Sequence, residues 1–131
     1  MKNTKIINTL KSFKGVHSIF LFGSQAEGKS NKNSDFDYCI IEDPEKEISF
    51  RQKLRIMSYS NSPIDISFFH DLPIDIRMRI FKGNLIHTQN YDYVLQLIKV
   101  TDDDYSKYKY FKQEYNQKIL EKRKHNGHSK N

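Results

Sequence analysis

Two short apolar runs, joined by a polar segment without a helical pattern, most constrain what this chain can fold into. Residues 17–22 (HSIFLF) and 35–42 (DFDYCIIE) are rich in β-branched and aromatic side chains, which predicts two buried strands. Residues 23–34 between them are small or polar. Strands joined directly by such a loop normally pair antiparallel. We therefore expect the end of the first strand and the start of the second to lie at one edge of a sheet.

The remaining apolar periodicities predict helices that alternate with further strands. Predicted helices cover residues 3–13, 44–59, 73–82 and 91–99, and a last helix begins near residues 101–104. Predicted strands cover residues 63–70 and 84–88. The segment 44–59 is long enough for a crossover helix, which would set strand 63–70 parallel to strand 35–42. The expected fold is α/β (α+β), with a small mixed sheet flanked by helices.

Composition indicates a globular protein that binds anions. The 131 residues suit one domain that folds without disulfide bonds or a structural metal ion. The lone Cys39 lies in a strand pattern, and we assign it no chemical role. The formal net charge of +6 favours a nucleotide, nucleic acid or acidic protein as partner. No run approaches the ~18 apolar residues of a membrane span, so we expect no membrane association and a cytoplasmic location.

The glycine-rich turn after the first strand fits two kinds of phosphate site. The P-loop pattern G-x-x-x-x-G-K-[ST] is matched by Gly23, Gly28, Lys29 and Ser30. Alternatively, Gly23-Ser24 forms a different phosphate-binding turn, which the acids of residues 34–37 complete. A P-loop needs a helix that begins at its lysine, whereas here four polar residues lead directly into the second strand. The context favours the second site.

Three acids are expected to meet beside that turn. Asp35 and Asp37 are two apart on a strand, so their carboxylates point to the same face, about 6.7 Å apart along the chain. Asp65, near the start of strand 63–70, would arrive at the same edge. Crowded carboxylates repel unless cations neutralise them, and Mg²⁺ selects oxygen ligands, so the trio predicts a magnesium site. Asp75 is a rival third acid, but the dipole of its own helix explains an acid there, and we prefer Asp65.

Two segments together resemble the signature of the DNA polymerase β-like nucleotidyltransferases: LFGSQAEGKSNKNSDFDYCII (residues 21–41) and PIDI (63–66). Within that superfamily the chain is similar to the minimal stand-alone (MNT) members, including archaeal-type ones. The resemblance implies that Gly23 and Ser24 contact the nucleotide phosphates, and that Asp35, Asp37 and Asp65 are catalytic and hold Mg²⁺, two ions in all. It also implies a palm-like nucleotidyltransferase core over residues 1–90 and a C-terminal helical extension over 91–124. The basic composition of residues 125–131 predicts a disordered tail. The chain departs from many relatives in the turn itself, where Gln25 and Glu27 replace arginines.

The same resemblance implies a function. Small MNT proteins often act as antitoxins that pair with HEPN-domain toxins and attach AMP to them, so the expected reaction is transfer of AMP from ATP, or of another NMP from its NTP, to a tyrosine of such a partner. A non-catalytic antitoxin that binds through the stripe Tyr105, Tyr108, Phe111 and Tyr115 is the alternative. Transfer to an RNA end or a small molecule also stays open, although one short domain leaves little surface for a nucleic acid template.

Overall fold

The computed structural model describes residues 3–23 and 35–129, and these ranges contain a four-stranded mixed sheet with helices on both faces. The strands are β1 (Val16–Phe22), β2 (Phe36–Glu42), β3 (Ile64–Phe68) and β4 (Asn84–Thr88). Their order in the sheet is β3-β2-β1-β4. Strand β1 is antiparallel to both β2 and β4, and β2 is parallel to β3. Both pairings that the sequence predicts, antiparallel β1–β2 and parallel β2–β3, are confirmed.

Alternating residues of β2 face two separate cores. The helices of the described ranges are α1 (Thr4–Lys11), α2 (Phe50–Met57), a 3-10 turn (Phe69–Asp71), α3 (Ile74–Ile80) and α4 (Tyr91–Ser129). Tyr38 and Ile40 pack with α1 and α2, whereas Cys39 and Ile41 pack with α3 and α4. Because side chains alternate along a strand, the sheet lies between the two helix layers. The odd-numbered positions of β2, which include Asp37, therefore lie on the α3–α4 side.

The crossover helix between β2 and β3 is shorter than the sequence predicts. Asp43 does not cap a helix; its Oδ1 accepts a hydrogen bond from the Glu45 N–H (2.9 Å) and closes a tight turn. The extended residues that follow place Ile48 in the core, 3% exposed. Helix α2 begins only after Ser49, whose side-chain oxygen accepts a hydrogen bond from the first turn (3.2 Å). The predicted start at residues 43–44 was wrong because Asp43 caps its own turn.

Helix α4 is one continuous helix of 39 residues where the sequence predicts two. Thr101, expected near the start of a new helix, is 3% exposed and donates its hydroxyl to the Leu97 carbonyl one turn earlier (2.7 Å). This bond lies within the helix, so no boundary forms there. The helix continues to Ser129 and includes residues 125–129, which the sequence assigns to a disordered tail. Neither α4 nor any other helix of the described ranges is long and apolar enough to cross a membrane.

Candidate active site

Asp37 and Asp65 lie side by side on neighbouring strands. They are register partners in the parallel β2–β3 pair, so both carboxylates point to the same face of the sheet. Neighbouring strands are about 4.8 Å apart, which sets the scale of the separation. Asp37 is half-buried, Asp65 is exposed, and the two side chains come within hydrogen-bonding reach of each other. The structure thus brings together the two acids that the sequence places on different strands.

The charge environment of Asp37 is unfavourable for an isolated carboxylate. Burial raises the pKa of Asp37 above its ordinary value of 3.8, and the negative charges of Asp65 and Asp35 and a hydrogen bond with Asp65 raise it further. Asp35 immediately precedes β2 and is exposed. Asp35 and Asp65 therefore both act on Asp37, whereas Asp75 is not among the groups that perturb its pKa.

The backbone of Gly23 packs closely against the Asp37 carboxylate. Its φ angle is +80°, in the left-handed region that favours glycine. It follows Phe22, the register partner of Asp37 in the antiparallel β1–β2 pair. A Cβ atom added to Gly23 would lie 2.5 Å from Asp37 Oδ2. Glycine is therefore required here both by the backbone conformation and by the close approach of the carboxylate.

Several residues that the sequence singles out in the turn lie outside the described residues. These are Ser24, expected to contact phosphates, the two departures Gln25 and Glu27, and the P-loop candidates Gly28, Lys29 and Ser30. The described part of the turn is Gly23, which adjoins Asp37.

Ser60 orients Asp65, a role that the sequence does not predict. Its hydroxyl accepts a hydrogen bond from the Ile66 N–H (3.1 Å) and donates to Asp65 Oδ1 (3.4 Å). The serine therefore joins the turn before β3 to the backbone and carboxylate of the strand. No sequence signal could have identified it, since serine is common in turns and its role depends on how that turn folds back.

Asp75, the rival third acid, occupies a different place. It is exposed in the first turn of α3, and its Oδ1 accepts a hydrogen bond from the Ile76 N–H (3.1 Å). An acid at this position is stabilised by the positive end of the helix. Its side chain lines a cleft between α3 and α4. The preference for Asp65 over Asp75 is thus consistent with the local geometry.

The carboxylates suit Mg²⁺ by their chemistry. Carboxylate oxygens are the hard donors that Mg²⁺ prefers, and a cation would relieve the crowding of like charge around Asp37. Within residues 3–23 and 35–129, no three His, Cys, Asp or Glu side chains are already arranged to hold a metal ion. The described residues provide two neighbouring carboxylates for a metal ion, Asp37 and Asp65, and Asp35 is exposed just before Asp37 in the chain.

Comparison with known proteins places this chain within a family. The family model described as polymerase beta nucleotidyltransferase matches residues 4–92, about two thirds of the chain. A candidate protein adenylyltransferase, MJ1547 of Methanocaldococcus jannaschii, is 31% identical over 71 residues, which are 54% of this chain and 54% of that protein. The chain thus spans about half the length of this relative.

Solved structures of low sequence identity share the fold. One is a chain of a toxin–antitoxin crystal structure with AMP-PNP (TM-score 0.71, 18% identity, 92% of this chain and 99% of that chain). Another belongs to the tri-AMPylated HEPN toxin of Shewanella oneidensis in complex with an MNT antitoxin (TM-score 0.61, 14% identity, 92% and 99%). With the family model matched over both predicted motifs, the resemblance noted in the sequence is confirmed: the chain belongs to the polymerase beta nucleotidyltransferase family.

Proposed function

We propose that this chain transfers AMP from ATP to a hydroxyl group of a partner protein in a Mg²⁺-dependent reaction. We propose further that the partner is a HEPN toxin, that the acceptor is a tyrosine, and that the transfer neutralises the toxin. The observation that carries the proposal is the pair Asp37 and Asp65, held side by side next to Gly23. Family membership, the relative named as an adenylyltransferase and the toxin–antitoxin neighbours support it.

In this proposal the residues of the chain bind the metal and the phosphates, orient the reacting groups and accept the proton of the acceptor. Asp35, Asp37 and Asp65 would hold the metal, and bound Mg²⁺ supplies charge neutralisation for the triphosphate and the attacking oxygen. Asp65 is exposed and oriented by the Ser60 hydroxyl, so it can take the proton of the acceptor hydroxyl. The acceptor oxygen then bonds to the α-phosphorus while the bond to pyrophosphate breaks. The turn at Gly23-Ser24 would bind the phosphates with its backbone.

A labelling experiment tests the reaction. Purified wild-type protein is incubated with ATP labelled at the α-phosphate, Mg²⁺ and a HEPN-domain protein that co-purifies with it. We expect label on the acceptor and, by mass spectrometry, one added AMP on a tyrosine. Asp37→Asn should lose transfer almost completely, while Asp75→Asn, the same chemical change at an acid outside the pair, should retain it. Equal labelling by the wild-type protein and Asp37→Asn would exclude this active site.

A second function is suggested by the exposed aromatic side chains of α4. Of the predicted stripe, Tyr108, Phe111 and Tyr115 are 39%, 65% and 66% exposed. A contiguous exposed aromatic patch is typical of a protein–protein contact site. The protein would then neutralise its partner by binding alone. Neutralisation in cells by the Asp37→Asn variant at wild-type level would favour this stoichiometric role over catalysis.

A further inference from the structure

A cavity adjoins Gly23 beside helix α3, on the α3–α4 side of the sheet where Asp37 also lies. Its volume is about 320 Å³, within the range of small-molecule sites, and it is lined by Phe22, Gly23, Ile76, Arg79 and Lys82. Gly23 therefore has Asp37 against it and also forms part of the cavity wall. Helix α3 contributes Ile76 and Arg79, and Lys82 follows the end of that helix.

The polar lining of this cavity is cationic. Arg79 and Lys82 are both exposed, and within residues 3–23 and 35–129 neither forms an ion pair. Both also line a second cleft of about 540 Å³ between α3 and α4, where Lys109 and Lys112 face a single acid, Asp75. A surface of this charge attracts anions from solution.

The carboxylate cluster by itself would repel ATP. The negative charges of Asp35 and Asp65 both act on Asp37, and a triphosphate that approaches these acids is favoured by positive charge from the protein in addition to bound metal. Arg79 and Lys82 are the cations of the described ranges that share a cavity with Gly23. Arginine binds phosphate oxygens through two parallel N–H groups, and lysine is a common phosphate ligand.

We infer that Arg79 and Lys82 bind the β- and γ-phosphates of the nucleotide. This inference rests on the proposed function, because the acceptor loses its proton at Asp65 and the α-phosphorus must therefore lie near the carboxylates. The two remaining phosphates then extend past Gly23 into the cavity beside α3. Arg79 and Lys82 thus act as substrate-binding residues that hold the leaving pyrophosphate.

A purely structural role for these cations would look different. Basic side chains near the C-terminal end of a helix stabilise it through the helix dipole, whatever ligand is bound. Loss of that effect would lower stability and weaken the binding of every nucleotide alike. Direct contact with the β- and γ-phosphates affects only ligands that carry them, so comparing two nucleotides separates the two roles.

Isothermal titration calorimetry with two probes makes this comparison. The probes are α,β-methylene-ATP, whose α–β linkage cannot be broken by transfer, and AMP, which lacks the outer phosphates; both are titrated in the presence of Mg²⁺. We expect Arg79→Gln and Lys82→Gln each to weaken binding of the triphosphate analogue about tenfold, the effect of one charged hydrogen bond. Binding of AMP should change less than twofold. Arg55→Gln, the same change on α2 across the sheet, should alter neither.

Arg79→Lys serves as the second variant, because it keeps the charge and should recover part of the lost affinity. Triphosphate binding that is unchanged in both glutamine variants, or AMP binding that weakens as much as triphosphate binding, would overturn the inference. If the wild-type protein transfers AMP and those variants bind the triphosphate analogue normally, the inference fails and the proposed function stands. A wild-type protein that binds neither probe would overturn both.

Discussion

Replacing Asp37 by asparagine should make the protein more stable while it removes the proposed activity. Asp37 is half-buried and lies beside Asp65, with Asp35 close enough to act on it. Asparagine has nearly the same size and shape but carries no charge, so it removes the repulsion and the cost of burying a carboxylate. A residue that lowers the stability of the folded state but is needed for the reaction is typical of an active site.

The magnitude follows from the strand geometry. Two unit charges one strand spacing apart, about 4.8 Å, repel by about 0.9 kcal/mol in water and about 3.5 kcal/mol at an effective dielectric constant of 20. Because Asp65 is exposed, solvent screens the pair and the lower figure applies. We expect a gain of about 1 kcal/mol in the free energy of unfolding, or about 3 to 5 °C in Tm for a domain of this size.

Urea denaturation at a series of pH values, with EDTA present to remove metal, measures this gain. The folded protein holds the proton of Asp37 more tightly than the unfolded chain, because its pKa is raised above 3.8. This contribution therefore lowers wild-type stability as pH rises from 3.8 through the raised pKa of the folded state. The advantage of Asp37→Asn should be greatest at neutral pH and smallest below pH 3.8. Asp103→Asn, the same change at an exposed position of α4, should show no such trend; a neutral or destabilising Asp37→Asn at pH 7 would refute the reasoning.

Three further outcomes are expected. Gly23→Ala should lower the free energy of unfolding by about 1 to 2 kcal/mol, because alanine is strained at positive φ, as chemical denaturation would measure. It should also largely abolish transfer in the labelling assay, because its Cβ displaces the Asp37 carboxylate. Ser60→Ala should lower kcat several-fold with little change in the Kd for nucleotide, since it frees Asp65 without touching the nucleotide cavity; an unchanged kcat would contradict the orienting role. Burial raises the pKa of Cys39 to about 12, so the thiol of the folded protein should resist iodoacetamide at pH 8 and react only after unfolding, as mass spectrometry would show.

Local pattern predicts much of the site because strand periodicity is local. Asp37 and Asp65 each begin an apolar strand, and the intervening crossover predicts that those strands run parallel, so the meeting of the two acids follows from the sequence. The side-chain hydrogen bonds that depend on distant packing do not follow. Thr101 suits a helix start by sequence alone, but in the structure its hydroxyl donates to a carbonyl one turn earlier within the helix. Ser60 gains its role only when its turn folds back against β3.

Strand β3 is the last strand at one edge of the sheet, and this position has a consequence for access. Within residues 3–23 and 35–129 the carboxylate of Asp65 is exposed, so in the proposed reaction an acceptor can approach it from the edge of the sheet. A folded macromolecule can therefore offer a surface side chain there without unfolding. An exposed edge position discriminates little by itself, so in the proposed reaction contacts far from the reacting atoms would select the acceptor. Helix α4, about 58 Å long at 1.5 Å per residue, extends far enough to make them.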